Sequence, residues 1–279
     1  ISLMFGETII EPIPPSGETT RKEIQPLLEL KQVSTQTKGE GMGLKEINLT
    51  ILVGEIMGVA GVSGNGQREL GDVVLGLESC SSGSKYLFGQ DATQWSVAQV
   101  RSSGVAFIPE DPLSMAAFPG LTVQENIALG DSYRYSRQSG LSVDWKSVRD
   151  DFELSLHRLG YTIPSVDMHM GALSGGNVQR VIVAREMGRD PKLILALYPT
   201  RGLDVHSAMA VRKLLVESRN RGVGVLLMSE DLEELFSLSD RLVILFRGQI
   251  VGTSAPGEIT PKEIGYLMTG SNGKDKPIE

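Results

Sequence analysis

Five short apolar runs punctuate the chain, at residues 56–60, 105–108, 193–198, 225–228 and 242–246. Each is continuous rather than alternating, the pattern of a parallel strand buried on both faces. Between them the apolar positions recur at three and four. Trp145, Val148, Phe152, Leu156 and Leu159 predict one such helix, closed by Gly160. Thr122-Val123-Gln124-Glu125 has the form of a capping box. Thr260-Pro261-Lys262-Glu263 starts another helix, with proline in its first turn. Residues 28–55 read as shorter antiparallel strands with glycine-rich turns, and helical patterning dominates about 112–172. Strands alternating with helices predict an α/β fold around a parallel sheet.

Composition narrows the classes without changing that picture. The 279 residues are 41% hydrophobic and 22% charged, which are globular values. Acidic residues outnumber basic ones, 34 to 27, for a net charge of −7. This argues against a nucleic-acid-binding surface. Cys80 is the single cysteine, so no intrachain disulfide forms and a reducing compartment is the natural setting. No apolar run approaches 18 residues, and no signal peptide is legible. Cys80, Trp95, His157, His169 and His206 show no metal-ligand spacing and read as surface or packing residues.

The termini suggest a longer parent. The chain starts at Ile1 rather than Met, and Ile1-Ser2-Leu3-Met4-Phe5-Gly6 shares its form with Ile264-Gly265-Tyr266-Leu267-Met268-Thr269-Gly270. Residues 1–6 are therefore expected to be the tail of a preceding copy of the same domain. Residues 7–27, with Pro12, Pro14, Pro15 and Pro26, read as a linker, and 271–279 as a C-terminal tail.

Two glycine-rich helix starts carry the candidate chemistry. Gly61-Val62-Ser63-Gly64-Asn65-Gly66 follows an apolar run and precedes a helical stretch at 67–75. Its spacing is that of a phosphate-cradling loop, G-x-x-x-x-G-K-(S/T), but Gln67 stands in place of the lysine and Arg68 in place of the hydroxyl. One residue along a helix turns the side chain by about 100°, so Arg68 is expected to point away from the loop. The bland alternative is a tight strand-to-helix turn with no ligand. The second start is Leu173-Ser174-Gly175-Gly176-Asn177, followed by the apolar run at 193–198 and by Pro199-Thr200-Arg201-Gly202-Leu203-Asp204. A hydroxyl and two glycine N–H groups at a helix N-terminus suit an anion.

Together these motifs resemble the ATP-binding-cassette (ABC) ATPases, over nearly everything from residue 28 to 270. The resemblance implies a P-loop NTPase core with a parallel sheet, an antiparallel β subdomain and an inserted helical subdomain at about 112–172. It makes Ser174, Gly175, Gly176 and Asn177 the signature, which contacts ATP held by a partner cassette, and Asp204 the D-loop. Gly61, Gly64, Asn65, Gly66, Gln67 and Arg68 form a degenerate P-loop. The strand that ends in Asp-Glu in the family, for the metal shell and the attacking water, ends here in Leu197-Tyr198. Glu110 takes the Q-loop glutamine position, where a carboxylate still suits Mg²⁺, and Glu230 the switch-histidine position, where it repels phosphate. No aromatic residue lies between Phe5 and Tyr86 to stack on adenine. With three or four charge-assisted contacts gone, at ~1.5–3 kcal/mol each, neither tight ATP binding nor hydrolysis is expected in cis.

The motif set is closest in form to the second cassette of tandem ATPases serving bacterial simple-sugar and nucleoside importers. That implies ATP and Mg²⁺ at a composite site with the first cassette of the same polypeptide, and no nucleic acid. It also implies transmembrane permease subunits, an indirect solute-binding protein and a peripheral place on the cytoplasmic face of the membrane. Two rivals stay open. One is an autonomous NTPase that uses Arg68 and Glu110; the other is an ABC protein acting without a permease, which should carry a long coiled-coil insertion or basic arms.

Overall fold

The computed structural model describes residues 26–36, 41–137 and 140–270. The expected tail at 1–6, nearly all of the expected linker and the tail at 271–279 lie outside the described residues. Leu27, at the end of that linker, already belongs to the fold: its N–H donates to Ile51 O and its carbonyl accepts from Phe88 N–H, at 2.8 and 2.9 Å.

The apolar runs form the strands they predict. Strand β3 (Ile56–Ala60) is buried at every position, as is β6 (Val105–Ile108). So are β9 (Leu193–Leu197) and β10 (Gly224–Met228). With β11 (Arg241–Phe246) and β12 (Gln249–Ser254) they make a six-stranded sheet in the order β12-β11-β3-β10-β9-β6. All its pairings are parallel except the β11–β12 hairpin. One expected boundary moves. The run at 193–198 loses Tyr198, whose φ of +44° turns the backbone out of the strand.

A second, antiparallel sheet takes β1 (Leu28–Ser34), β2 (Ile47–Ile51), β4 (Ser82–Leu87) and β5 (Gln90–Asp91) in the order β2-β1-β4-β5. Helix α1 (Gln67–Leu75) lies between the two sheets, and its Leu70, Val73 and Val74 join a core that includes Leu28, Leu30, Leu195 and Leu226. The other face of the parallel sheet is covered by α8 (Val205–Asn220), α9 (Leu232–Leu238) and α10 (Pro261–Thr269), around Ile56, Ile194, Leu214, Leu235 and Ile264.

A third core is built by helices between β6 and β9. The short α2 (Val97–Ser102) precedes β6. After it come α3 (Pro112–Met115), α4 (Val123–Gly130), α5 (Ser132–Tyr135), α6 (Trp145–Leu159) and α7 (Gly175–Met187). Thr122 and Glu125 form the capping box on α4, and Gly160, at φ +64°, ends α6. The small hairpin of β7 (Ser136–Arg137) and β8 (Ser142–Val143) was not legible in the helical periodicity. The sequence sets an apolar stripe of Val178, Val181, Ile182 and Met187 on α7; the first three are buried and Met187 is half-buried, while Gln179, Val183, Ala184 and Glu186 are buried as well, because α7 spans two cores. Among the described residues no helix is long and apolar enough to cross a membrane.

Candidate functional site

The loop after β3 forms the glycine turn that the spacing predicts. Gly64 and Gly66 have φ of +86° and +112°, a region where L side chains are strained, and Gly66 is the N-cap of α1. Gln67 does not reach outward. It is 2% exposed, and its Nε2 donates to Val62 O at 3.2 Å. A Cβ placed on Gly61 would lie 2.4 Å from that Nε2, so the amide lies across the loop and against the Gly61 backbone. Its Oε1 is buried without a partner. Arg68 is exposed, and its charge acts on Asp72, one turn along α1. Burial holds the Asp72 carboxyl above its usual range, and Arg68 partly offsets that. Arg68 therefore turns from the loop, as helical geometry requires.

The loop is also bolted down. Asn65 Oδ1 accepts from Arg247 N–H at 3.0 Å, and Asn65 O accepts from Gly248 N–H at 2.9 Å. Glu69 Oε1 accepts from Met42 N–H at 3.0 Å.

The end of β9 is filled by hydrocarbon and phenol. Leu197 is 2% exposed, and its Cδ2 would lie 3.2 Å from a Cβ on Gly71 of α1. Tyr198 donates its N–H to Met228 O at 2.8 Å. Its phenol is pushed up to about 12, first by burial and then by the carboxylates of Glu230 and Glu110. Glu110 is paired with Arg201, 91 residues along, and the Arg201 guanidinium lies 5.9 Å from the centre of the Tyr198 ring. Glu110, a carboxylate that suits Mg²⁺ by its chemistry, is ion-paired with an arginine in this structure. Glu230 is exposed beside buried Ser229, whose Oγ donates to Glu234 Oε2 at 2.7 Å. Arg212 donates to Glu234 Oε1 and Asp231 Oδ2, at 2.9 and 3.2 Å, and ties this turn to α8. A cleft of about 410 Å³ lies between Tyr198, Arg201, Arg212 and Glu230. These residues do not fit a magnesium nucleotide. Leucine and tyrosine offer no metal carboxylate, Arg68 offers no hydroxyl, and the remaining acids repel phosphate.

The second helix start is open. Ser174 is the N-cap of α7, yet its hydroxyl makes no capping hydrogen bond, and Ser174 and Gly175 are exposed. A Cβ on Gly175 would meet nothing within 4 Å. Asn177 Oδ1 accepts from Arg180 Nη1 at 3.0 Å. Asp204 caps α8 and accepts from Ser207 N–H and Oγ at 3.0 and 2.7 Å. Those hydrogen bonds, led by the backbone one, hold its carboxyl below the usual range. A Cβ on Gly176 would lie 3.6 Å from Ser207 Oγ and 4.0 Å from Asp204 Oδ2. The structure therefore sets Gly176 against Asp204, which no sequence spacing announces. Gln179, buried in α7, donates to Pro199 O at 3.2 Å and links the same two segments.

Sequence reasoning passed over Arg201, Arg212, Gln179 and Glu234. Arg201 and Gln179 stood inside motifs, and nothing local joined Arg201 to Glu110 or Gln179 to Pro199. His169 Nδ1 lies 2.8 Å from Gly120 O, a packing contact. Among the described residues no cluster of three His, Cys, Asp or Glu side chains is placed to hold a metal.

Solved structures share the fold. The chain is similar to the ATP-binding cassette MJ0796 in a dimeric post-hydrolysis state bound to ADP and Pi (TM-score 0.70, 23% identity, 82% of this chain and 98% of that one). A nucleotide-free ATP-binding cassette from an ABC transporter matches at TM-score 0.69 and 21% identity, over 88% and 95% of the two chains. Among curated proteins, the guanosine import ATP-binding protein NupO of Bacillus subtilis is 37% identical over 278 residues, 98% of this chain and 53% of the relative. The glucose import ATP-binding protein TsgD13 of Haloferax volcanii is 37% identical over 250 residues, 88% of this chain and 45% of the relative. The ribose import ATP-binding protein RbsA of Oceanobacillus iheyensis is 29% identical over 275 residues, 99% and 53%. The chain thus spans about half the length of the curated relatives it matches. The family model described as ABC transporter matches residues 44–200, and the chain belongs to the ABC transporter family.

Proposed function

We propose that this chain is the degenerate cassette of a tandem ABC importer ATPase for sugars or nucleosides. In this reading it lends Ser174, Gly175, Gly176 and Asn177, with Asp204 beside them, to ATP and Mg²⁺ held by the first cassette of the same polypeptide. The observation that carries it is the contrast between the two helix starts. The loop at Gly61–Gly66 is closed by its own Gln67, while the start of α7 is open and has an uncommitted serine hydroxyl. Support also comes from relatives named for import of guanosine, glucose and ribose, each about twice the length of this chain. The reading places the chain on the cytoplasmic face of the membrane, against permease subunits that a solute-binding protein loads.

The protein's own part in the chemistry is positional. Helix α7 aims its first N–H groups and the Ser174 hydroxyl at an anion outside the domain. Gln179 holds that start against the Pro199–Asp204 turn, and Asp204 stands beside Gly176. The bound nucleotide supplies the transferable phosphoryl group. The autonomous alternative needs Arg68 and Glu110 in one pocket, whereas Arg68 is exposed on α1 and Glu110 is paired with Arg201.

The test uses the full tandem protein. Ser174→Arg or Gly176→Asp should lower ATP turnover ~100-fold or more, since misplacing one preorganised donor costs that much. ATP binding, measured by calorimetry, should stay within about twofold of wild type. Variants that turn over ATP at the wild-type rate would refute the composite site.

A further inference from the structure

We propose that the cleft between α6, α7 and α8 is a binding site for a small molecule carrying two or more phosphate groups. The cleft has a volume of about 620 Å³, within the range of small-molecule sites. It lies away from the start of α1 and adjoins the start of α7, sharing Gly176, Gln179 and Ser207 with the surroundings of Asp204.

Its charge is the reason for the assignment. His157 and Arg158 line it from the end of α6, Arg180 from α7, and His206 and Lys213 from α8. Among the described residues, Glu217 is the one acidic residue in the lining. Three permanent cations therefore face one carboxylate, in a chain whose net charge is −7. The cations are weakly committed. Arg158 lies 3.8 Å from Asp190 and Lys213 lies 3.7 Å from Glu217, both exposed pairs at the long limit of an ion pair. Such pairs contribute little and release a cation readily. Arg180 is held only by the neutral amide of Asn177. The side chains of His157 and His206 have no hydrogen-bond or ion-pair partner among the described residues. Cations gathered along a concave wall focus the field on an anion inside it. Arginine and imidazole N–H groups supply directed donors for phosphate oxygens.

The walls favour a small molecule over an acidic peptide. Three helices enclose the space, and half-buried Tyr161 adds a ring to the floor. A single phosphate would use only part of the donor set, so two or more phosphate groups are the better match.

The inference does not depend on the composite-site reading, and binding by this chain alone tests it. Calorimetric titration of the 279-residue chain with sodium pyrophosphate, without Mg²⁺, should give one site with a dissociation constant of roughly 10–500 µM. Affinity should fall as salt rises. Arg180→Gln with Lys213→Gln should weaken it at least ~10-fold. Arg158→Gln with Lys213→Gln, two exposed positions whose change leaves the cores intact, should do the same. Ser63→Asp, at an exposed position, puts a carboxylate into the other candidate cradle and should leave affinity unchanged. The proposal is overturned by any of four results: no heat up to ~10 mM pyrophosphate, binding that survives both double variants, binding lost in Ser63→Asp, or a hexaglutamate peptide that binds more tightly than pyrophosphate.

Discussion

The starts of α1 and α7 are built from the same parts and end in opposite states. Glycines stand just before α1 and in the first turn of α7, and each helix start has unpaired N–H groups and the positive end of a helix dipole. At α1 the next side chain is a buried amide that bonds back to Val62 O, and the surroundings are Leu197, Tyr198, Glu110 and Glu230. At α7 the serine hydroxyl is uncommitted, and a Cβ on Gly175 would stand in open space. A glycine turn before a helix is therefore only a scaffold for anion binding. What fills the turn, and which charges surround it, decides whether it works.

Putting the missing carboxylate back at the end of β9 should have the largest effect. Leu197→Asp places an unpaired charge against Gly71 in a packed core, and it should destabilise the chain by about 3–5 kcal/mol. Urea unfolding measures this. Wild-type stability would mean that the position still behaves as a metal site and that the contrast with α7 is weaker than drawn.

The other end of α1 carries a second buried charge. Lys85, 1% exposed, donates Nζ to Val73 O and Val74 O at 2.7 and 3.4 Å. Burial lowers its pKa from 10.5 to about 8. Between those values the unfolded chain binds more protons than the folded one, so this lysine makes stability rise with pH. Its contribution is complete above pH 10.5 and is lost as pH falls through about 8. The gain is about 3 kcal/mol across that window. Denaturant unfolding at pH 8 and pH 10 should show it in the wild type and not in Lys85→Met. An equal slope in both would show that Lys85 is not the source.

The Glu110–Arg201 pair is exposed, at 39% and 54% of the side chains. A double-mutant cycle with Glu110→Gln and Arg201→Gln should give a coupling below about 1 kcal/mol. Coupling above ~2 kcal/mol would make the pair a structural lock of the pocket. The smallest expected effect is that of Gln67→Lys alone. It supplies a cation but no metal ligand, so ATP turnover by the isolated chain should stay under ~0.1 s⁻¹. Steady turnover above that value, lost again on mutating Glu110 or Arg68, would favour an autonomous NTPase.

Much of the fold was legible because its signals are short-range. Ile56–Ala60 and Leu193–Leu197 are strands because every residue is apolar and each run is too short for a helix. The caps at Thr122, Thr260 and Gly160 were legible for the same reason, since each needs only residues within four positions. The hairpin at Ser136–Val143 was not, because two-residue strands carry no period to detect. Tyr198 was read as strand because it is apolar, and only its positive φ shows the turn.

The sequence by itself determined which chemical groups stand at the two helix starts: amide, leucine, tyrosine and glutamates at one, serine and glycines at the other. Those identities settle what each position can donate, accept or repel, because that follows from the side chain alone. Only the tertiary structure decided where the groups go. It turned Gln67 inward over Gly61, joined Glu110 to Arg201 across 91 positions, set Gly176 beside Asp204, and gathered His157, Arg180 and Lys213 around one cleft. The physical reason is range. Backbone propensity and capping act over a few residues, whereas these contacts depend on how the helices pack on a shared sheet.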